Sequence, residues 1–169
     1  MLSVRKIFFA VATFLALLAA LPLQAAAAGS VPFQATLVES VVSAGPCPGL
    51  PSQFICVTVT GSGHATILGA ISESMVVTVD TSSAPAPDCF SESRASTLTT
   101  SAGDQVSLAG DGVDCGIDTA HGTAVDSWTV TGGTGNLVGA TGSGTNTASI
   151  HEKTVPVTSV TIFSGELTP

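Results

Sequence analysis

The sequence contains no tyrosine and a single tryptophan, and only four of its 169 residues are Lys or Arg. Charged side chains make up 9% of the chain. That scarcity excludes a coiled coil, whose flanking positions need charges, and it excludes disorder driven by charge repulsion. A nucleic-acid partner is excluded as well, because Lys and Arg supply the contacts that neutralise phosphate. Beyond the first thirty residues no apolar run approaches the ~20 that a spanning helix requires. What is plentiful is Thr, Ser, Val and 18 Gly. Thr and Val suit a pleated surface and Gly suits turns, so the chain reads as β-rich, without long amphipathic helices.

Residues 1–28 read as a secretory signal. Arg5 and Lys6 give a positive start, residues 7–21 an apolar stretch too short to span a membrane, and the small residues after Pro22 a cleavage pattern ending at Ala28. No Cys stands at that point, so a lipid-anchored precursor is not expected. Residues 29–169 then form a single domain, exported and free of the membrane. Removing the signal takes away Arg5 and Lys6 and leaves Arg94 and Lys153 against twelve carboxylates, a formal charge near −10. The expected product is extracellular and acidic.

Export makes the four cysteines legible. Cys47, Cys56, Cys89 and Cys115 are even in number and show no C-x-x-C spacing, which in an oxidising compartment argues for disulfides over metal ligation. On spacing alone, three pairings are open.

Period-2 alternation of apolar residues predicts strands at 31–42, 54–60, 64–80, 94–101, 105–110, 124–131, 137–150 and 157–167. The third is long, but its alternation keeps parity through Ser72-Glu73-Ser74, so one strand bent at Gly69 is expected. Short Gly-bearing links at 61–63, 102–104 and 132–136 alternate with long ones at 43–53, 81–93, 111–123 and 151–156. In an antiparallel meander successive links fall at opposite ends, so the tight turns share one rim and the long loops the other. Cys47 and Cys56 bracket one long loop, while Cys89 and Cys115 lie in loops two strands apart. The topology therefore predicts Cys47–Cys56 and Cys89–Cys115. Eight such strands can close into an up-and-down antiparallel β-barrel, which also removes exposed edges. The competing architecture, a β-sandwich, would more often show crossing connections than this regular alternation.

Residues 129–142, TVTGGTGNLVGATG, resemble the GGTG-x-F-x-G-A-x-G signature of plant dirigent proteins and their bacterial relatives in the allene oxide cyclase-like barrel group. Segments 31–37 (VPFQATL), 63–69 (GHATILG) and 103–106 (GDQV) resemble bacterial members in the same order. The resemblance implies an eight-stranded antiparallel barrel and a homodimer or homotrimer. It also implies one of two chemistries: steering the coupling of phenoxy radicals, or cyclising a fatty-acid epoxide inside the barrel. No catalytic residue of either family matches a position here, so the fold is carried over and the chemistry is not. Physically the GGTG segment is a hairpin turn. A phosphate-cradling loop would need a helix start and usually a Lys.

Candidate chemistry rests on strand parity. Glu39 shares a face with Phe33, Leu37 and Val41, Glu73 with Ile67, Ile71 and Met75, and Asp126 with Trp128 and Val130. If those faces point inward, three carboxylates line the interior and can serve as general acid or base. Small residues at other inward positions leave volume unfilled, so a cavity lined by Phe33, Leu37, Met75 and Trp128, open at the long-loop rim, is expected. Asp111, Asp114 and Asp118 form an acidic loop that lacks the alternating oxygens of a calcium loop, and solvated loop acids are the simpler reading. His64 falls at the rim opposite His121 and His151, which argues against a three-His zinc site. No metal and no cofactor is expected. The leading expectation is a non-enzymatic barrel that binds a small apolar ligand or presents its long-loop rim to a partner. The alternatives are a cofactor-independent isomerase or cyclase using Glu39, Glu73 or Asp126, and a passive extracellular structural protein.

Overall fold

Alternation of buried and exposed residues runs through nearly every strand of the computed structural model, which describes residues 29–116 and 120–169. The segment 1–28, read above as a secretory signal, lies outside the described residues. The strands are β1 (Val31–Pro46), β2 (Phe54–Ala65), β3 (Gly69–Asp80), β4 (Cys89–Thr100), β5 (Gln105–Cys115), β6 (Gly122–Gly133), β7 (Thr141–His151) and β8 (Thr158–Thr168). Each pairs antiparallel with the next, and β8 pairs with β1, from Val31 opposite Leu167 to Ser40 opposite Thr158. The barrel is thus closed, all-β and free of edges, as the short-long alternation predicts. Among the described residues no helix is long and apolar enough to cross a membrane.

Several boundaries differ from the sequence-based expectation: β1 runs on to Pro46, β4 starts already at Cys89 and so takes in Glu92, and three further differences reshape the interior. Gly61-Ser62-Gly63 is not a turn but the interior of β2, where Gly61 stands opposite both Glu39 and Glu73. A side chain on Gly63 would run into the Thr36 backbone, so that glycine serves close strand approach instead of chain reversal. The chain turns at 66–68 and leaves through Gly69, whose φ of 70° favours glycine. The acidic segment after Gly110 is not loop either: β5 runs on to Cys115, which puts exposed Asp111 and buried Asp114 on opposite faces. Asp118 lies outside the described residues. Finally, β7 starts at Thr141 because a 3-10 turn, Gly135–Leu137, folds Leu137 and Ala140 into the tight-turn end of the barrel.

Both disulfides form as the topology predicts, Cys47–Cys56 and Cys89–Cys115, and both pin the long-loop end. The opposite half is packed solid. Phe33 and Trp128 meet edge to face with ring centroids 5.6 Å apart, and Phe163 lies 6.5 Å from Trp128. Space for the indole comes from a cross-strand row, Trp128 opposite Gly144, Gly144 opposite Gly165, Gly165 opposite Phe33. A Cβ on either glycine would sit within 2.7 Å of the Trp128 ring. The small residues expected to leave a void here are instead filled by aromatic rings leaning over them.

Candidate functional site

Above the aromatic layer the interior becomes polar. The inward positions of β4 read Glu92, Arg94, Ser96, and they meet Glu39 from β1, Glu73 from β3, Asp126 from β6, Asn146 from β7 and Thr161 from β8, all buried. Arg94 is the hub. Its guanidinium lies 3.1 Å from Asp126, 3.4 Å from Glu73 and 5.2 Å from the centre of the Phe163 ring. Asp126 also accepts from Asn146 at 2.7 Å, and Glu39 accepts from Ser159 and Thr161 at 2.7 Å each. Held on three sides, Arg94 seals the polar layer against the aromatic one.

The carboxyls occur in two pairs with the same construction. Glu39 and Glu73 flank Gly61 on the intervening strand, and Glu92 and Asp126 flank Gly112. A Cβ on Gly61 would come within 2.8 Å of Glu39 Cγ, and one on Gly112 would run into Asp126 Oδ1. The bare Cα in each case is what lets the two acids lean together from strands two apart. Burial, and then the neighbouring charge of Glu39, push the Glu73 carboxyl up to about 8 in spite of Arg94. Burial and hydrogen bonding to Asp126 push Glu92 to about 9. Burial, Glu152 and Asp126 push Asp114 to about 7. Glu73 and Glu92 therefore keep their protons at pH 7.

Glu39, Glu92, Asp114 and Asp126 line the polar end of a cup of about 310 Å³, whereas Glu73 is not among its lining residues. Its wall is aliphatic, with Val57, Val59, Val77, Val79, Ala124 and Ala148 among its members, and Ile55, Thr81, Glu152 and Val157 carry it up to the long-loop rim. An apolar wall with a few convergent polar groups at one end is the usual build of a small-molecule site.

Comparison of the chain with protein-family models, with curated proteins and with solved structures finds no match in any of the three.

All three carboxylates singled out in the sequence, Glu39, Glu73 and Asp126, point inward and share one polar layer. Of the four residues expected to line the cavity, Met75 does so. Phe33, Leu37 and Trp128 belong to the packed cluster beneath, each at most 2% exposed, so the cavity is displaced toward the long-loop rim. Sequence reasoning missed Glu92, Arg94 and Asp114 as interior residues. Parity held the signal: Glu92, Arg94, Ser96 and Leu98 alternate regularly, as do Val106, Leu108 and Asp114, but polar inward residues give no apolar period. His121 and His151 stack edge to face at the long-loop rim, 5.4 Å apart, whereas His64 lies exposed on β2 near the opposite end.

Proposed function

We propose that the protein is an exported, dirigent-like binding barrel that takes one small, mainly apolar molecule into the cup at its long-loop end without transforming it. The observation that carries this reading is the contrast within one barrel: half the interior is packed by aromatic rings, while the other half keeps a cup of about 310 Å³ under an open rim. A barrel with a purely structural role has no use for that volume, which forgoes packing contacts. Two disulfides at the rim support an extracellular setting and hold the mouth in shape. Residues 1–28 would direct the export, and the GGTG segment supports the kinship with dirigent and allene oxide cyclase-like barrels.

Titration with fatty acids, terpenoids and phenolics tests the binding reading. One-to-one binding that is lost in Ala148→Phe, which fills the cup without touching its charges, is the expected result. Absence of binding by every compound overturns it.

One observation favours the rival reading, a cofactor-independent isomerase or cyclase. Glu92, pushed up to about 9, lines the cup together with Glu39 and Asp126, so a held proton stands among further carboxyls at its floor. Conversion of a bound ligand, abolished by Glu92→Gln or Asp126→Asn with binding retained, would replace binding by catalysis.

A further inference from the structure

The floor of the cup holds more carboxyl groups than it can satisfy. Among the described residues the lining carries Glu39, Glu92, Asp114, Asp126 and Glu152, and a single cation, Arg94. Arg94 is already engaged by Asp126, Glu73 and the Phe163 face, so its charge is directed down and sideways into the barrel. Three of the lining acids keep a buried oxygen with no donor among the described residues: Glu39 Oε1, Asp114 Oδ1 and Asp126 Oδ1. These side chains belong to residues that are 2%, 9% and 2% exposed. A buried acceptor without a donor is costly, and within each carboxyl pair the only local remedy is a proton held between two acids. Asp114 has no such pair partner across a glycine. The site therefore asks for a ligand that brings several N–H or O–H donors together with positive charge.

We infer that the ligand is a primary or secondary amine on a small apolar body, its ammonium seated among Glu39, Asp114 and Asp126 and its hydrocarbon against the valine wall. The inference rests on the binding reading above and names its ligand class. An ammonium offers up to three donors to acceptor oxygens and replaces the shared protons by a full positive charge. The same geometry selects against other cations. A quaternary ammonium has no N–H to give and is held by aromatic faces, yet among the described residues no aromatic side chain lines the cup, and Phe33, Trp128 and Phe163 are packed below the polar layer. A carboxylate ligand would meet the acids directly, with Arg94 already paired. An alcohol fits the wall and gives one donor without charge.

Four ligands with one hydrocarbon tail separate these cases: n-octylamine, n-octanol, octanoate and octyltrimethylammonium, titrated calorimetrically at pH 7 into the oxidised protein. Octylamine should bind about tenfold or more tighter than octanol, as expected for charge-assisted hydrogen bonds replacing one neutral one. Octyltrimethylammonium and octanoate should trail octanol. Asp114→Asn and Glu39→Gln should each weaken octylamine by more than they weaken octanol, so that the amine-to-alcohol ratio falls, because a charged head group loses more than a neutral one when a carboxyl becomes an amide. Two variants on different strands keep the test alive if one fails to fold. Repeating the octylamine titration in buffers of different ionisation enthalpy should show proton release, because the ammonium displaces protons held between carboxyls. Octanol equal to or tighter than octylamine, octanoate binding best, or a ratio unmoved by both variants overturns the amine assignment and leaves the barrel a binder of neutral or anionic molecules. If no octyl compound binds while a terpenoid or phenolic does, the amine assignment again falls alone. If nothing binds at all, the binding reading falls with it.

Discussion

Glu39 on β1 and Glu73 on β3 meet over Gly61, the one residue that stands opposite both of them in the barrel register. Glu92 on β4 and Asp126 on β6 repeat the arrangement over Gly112. Adjacent strands lie about 4.8 Å apart, so acids two strands apart start too far from each other to interact strongly. A glycine between them lets both side chains lean inward over bare backbone. Burial first, and then the partner acid brought close in this way, is why Glu73 and Glu92 hold their protons at neutral pH.

The two glycines should respond differently to a methyl group. At Gly61 the added Cβ meets the Glu39 side chain, which can move aside, so Gly61→Ala should destabilise by about 1 kcal/mol and free the pair to ionise separately. At Gly112 it runs into the Val125 carbonyl and Asp126 together, and Gly112→Ala should cost about 2–3 kcal/mol. Urea unfolding of both variants checks the order. Equal losses would show that the glycines are not spacing the acids.

Stability should fall as pH rises, the reverse of ordinary acid denaturation. The folded state raises Glu73 from 4.5 to about 8 and Glu92 from 4.5 to about 9, so between those limits it binds more protons than the unfolded chain. The facing groups are Glu39, Asp114, Asp126, Arg94 and Glu152, and raised Asp114 acts in the same direction. The stabilisation is complete below about pH 4.5 and is lost progressively up to about pH 9, on the order of several kcal/mol. Tm should therefore drop by about 5–10 °C between pH 5 and pH 9. Glu73→Gln and Glu92→Gln should each flatten the slope. A Tm that climbs over this range contradicts the neutral-acid assignment.

Arg94 is the charge on which the polar layer depends. Removing one member of a buried pair strands the other, so Arg94→Leu should cost about 3–5 kcal/mol and leave Asp126 without its cation, beside Asn146 and Glu92. Arg94→Lys should recover only part of this, because an ammonium cannot reach Asp126 and Glu73 as a planar fork while lying over Phe163. Chemical denaturation of the two variants checks the ranking.

Strand count, closure, both disulfides and the inward direction of Glu39, Glu73 and Asp126 were legible in the sequence, because side-chain parity and loop length report them directly. The β2–β3 turn was not. Gly61-Ser62-Gly63 has turn composition, and only the cross-strand neighbours reveal that those glycines make room for acids and backbone. Trp128 was assigned to a cavity wall for the same reason: Gly144 and Gly165 look like missing volume until Trp128 and Phe33 are seen to fill it. Arg94 escaped because a polar residue facing inward is indistinguishable, in one sequence, from one facing water, and Glu92 and Asp114 because the polar stretches 81–93 and 111–123 read as links where β4 and β5 in fact run.

The disulfides should contribute unequally. Cys89–Cys115 closes a 26-residue separation and Cys47–Cys56 a 9-residue one, so the first constrains the unfolded chain more. Replacing Cys89 and Cys115 by Ser should lower stability by about 3–4 kcal/mol, and replacing Cys47 and Cys56 by somewhat less. Reversal of that order in urea unfolding would contradict the chain-entropy account. The mouth of the cup should also loosen in both, visible as weaker ligand binding.

The central claim is that the cup holds a small molecule in nature, and native mass spectrometry of the protein purified from its own host tests it most directly. The account predicts a population heavier than the disulfide-bonded chain by one small molecule per barrel, released intact on denaturation, basic in character, and lost in Ala148→Phe. Bare protein from that host, together with failure of every amine, fatty acid, terpenoid and phenolic to bind when added back, would contradict it.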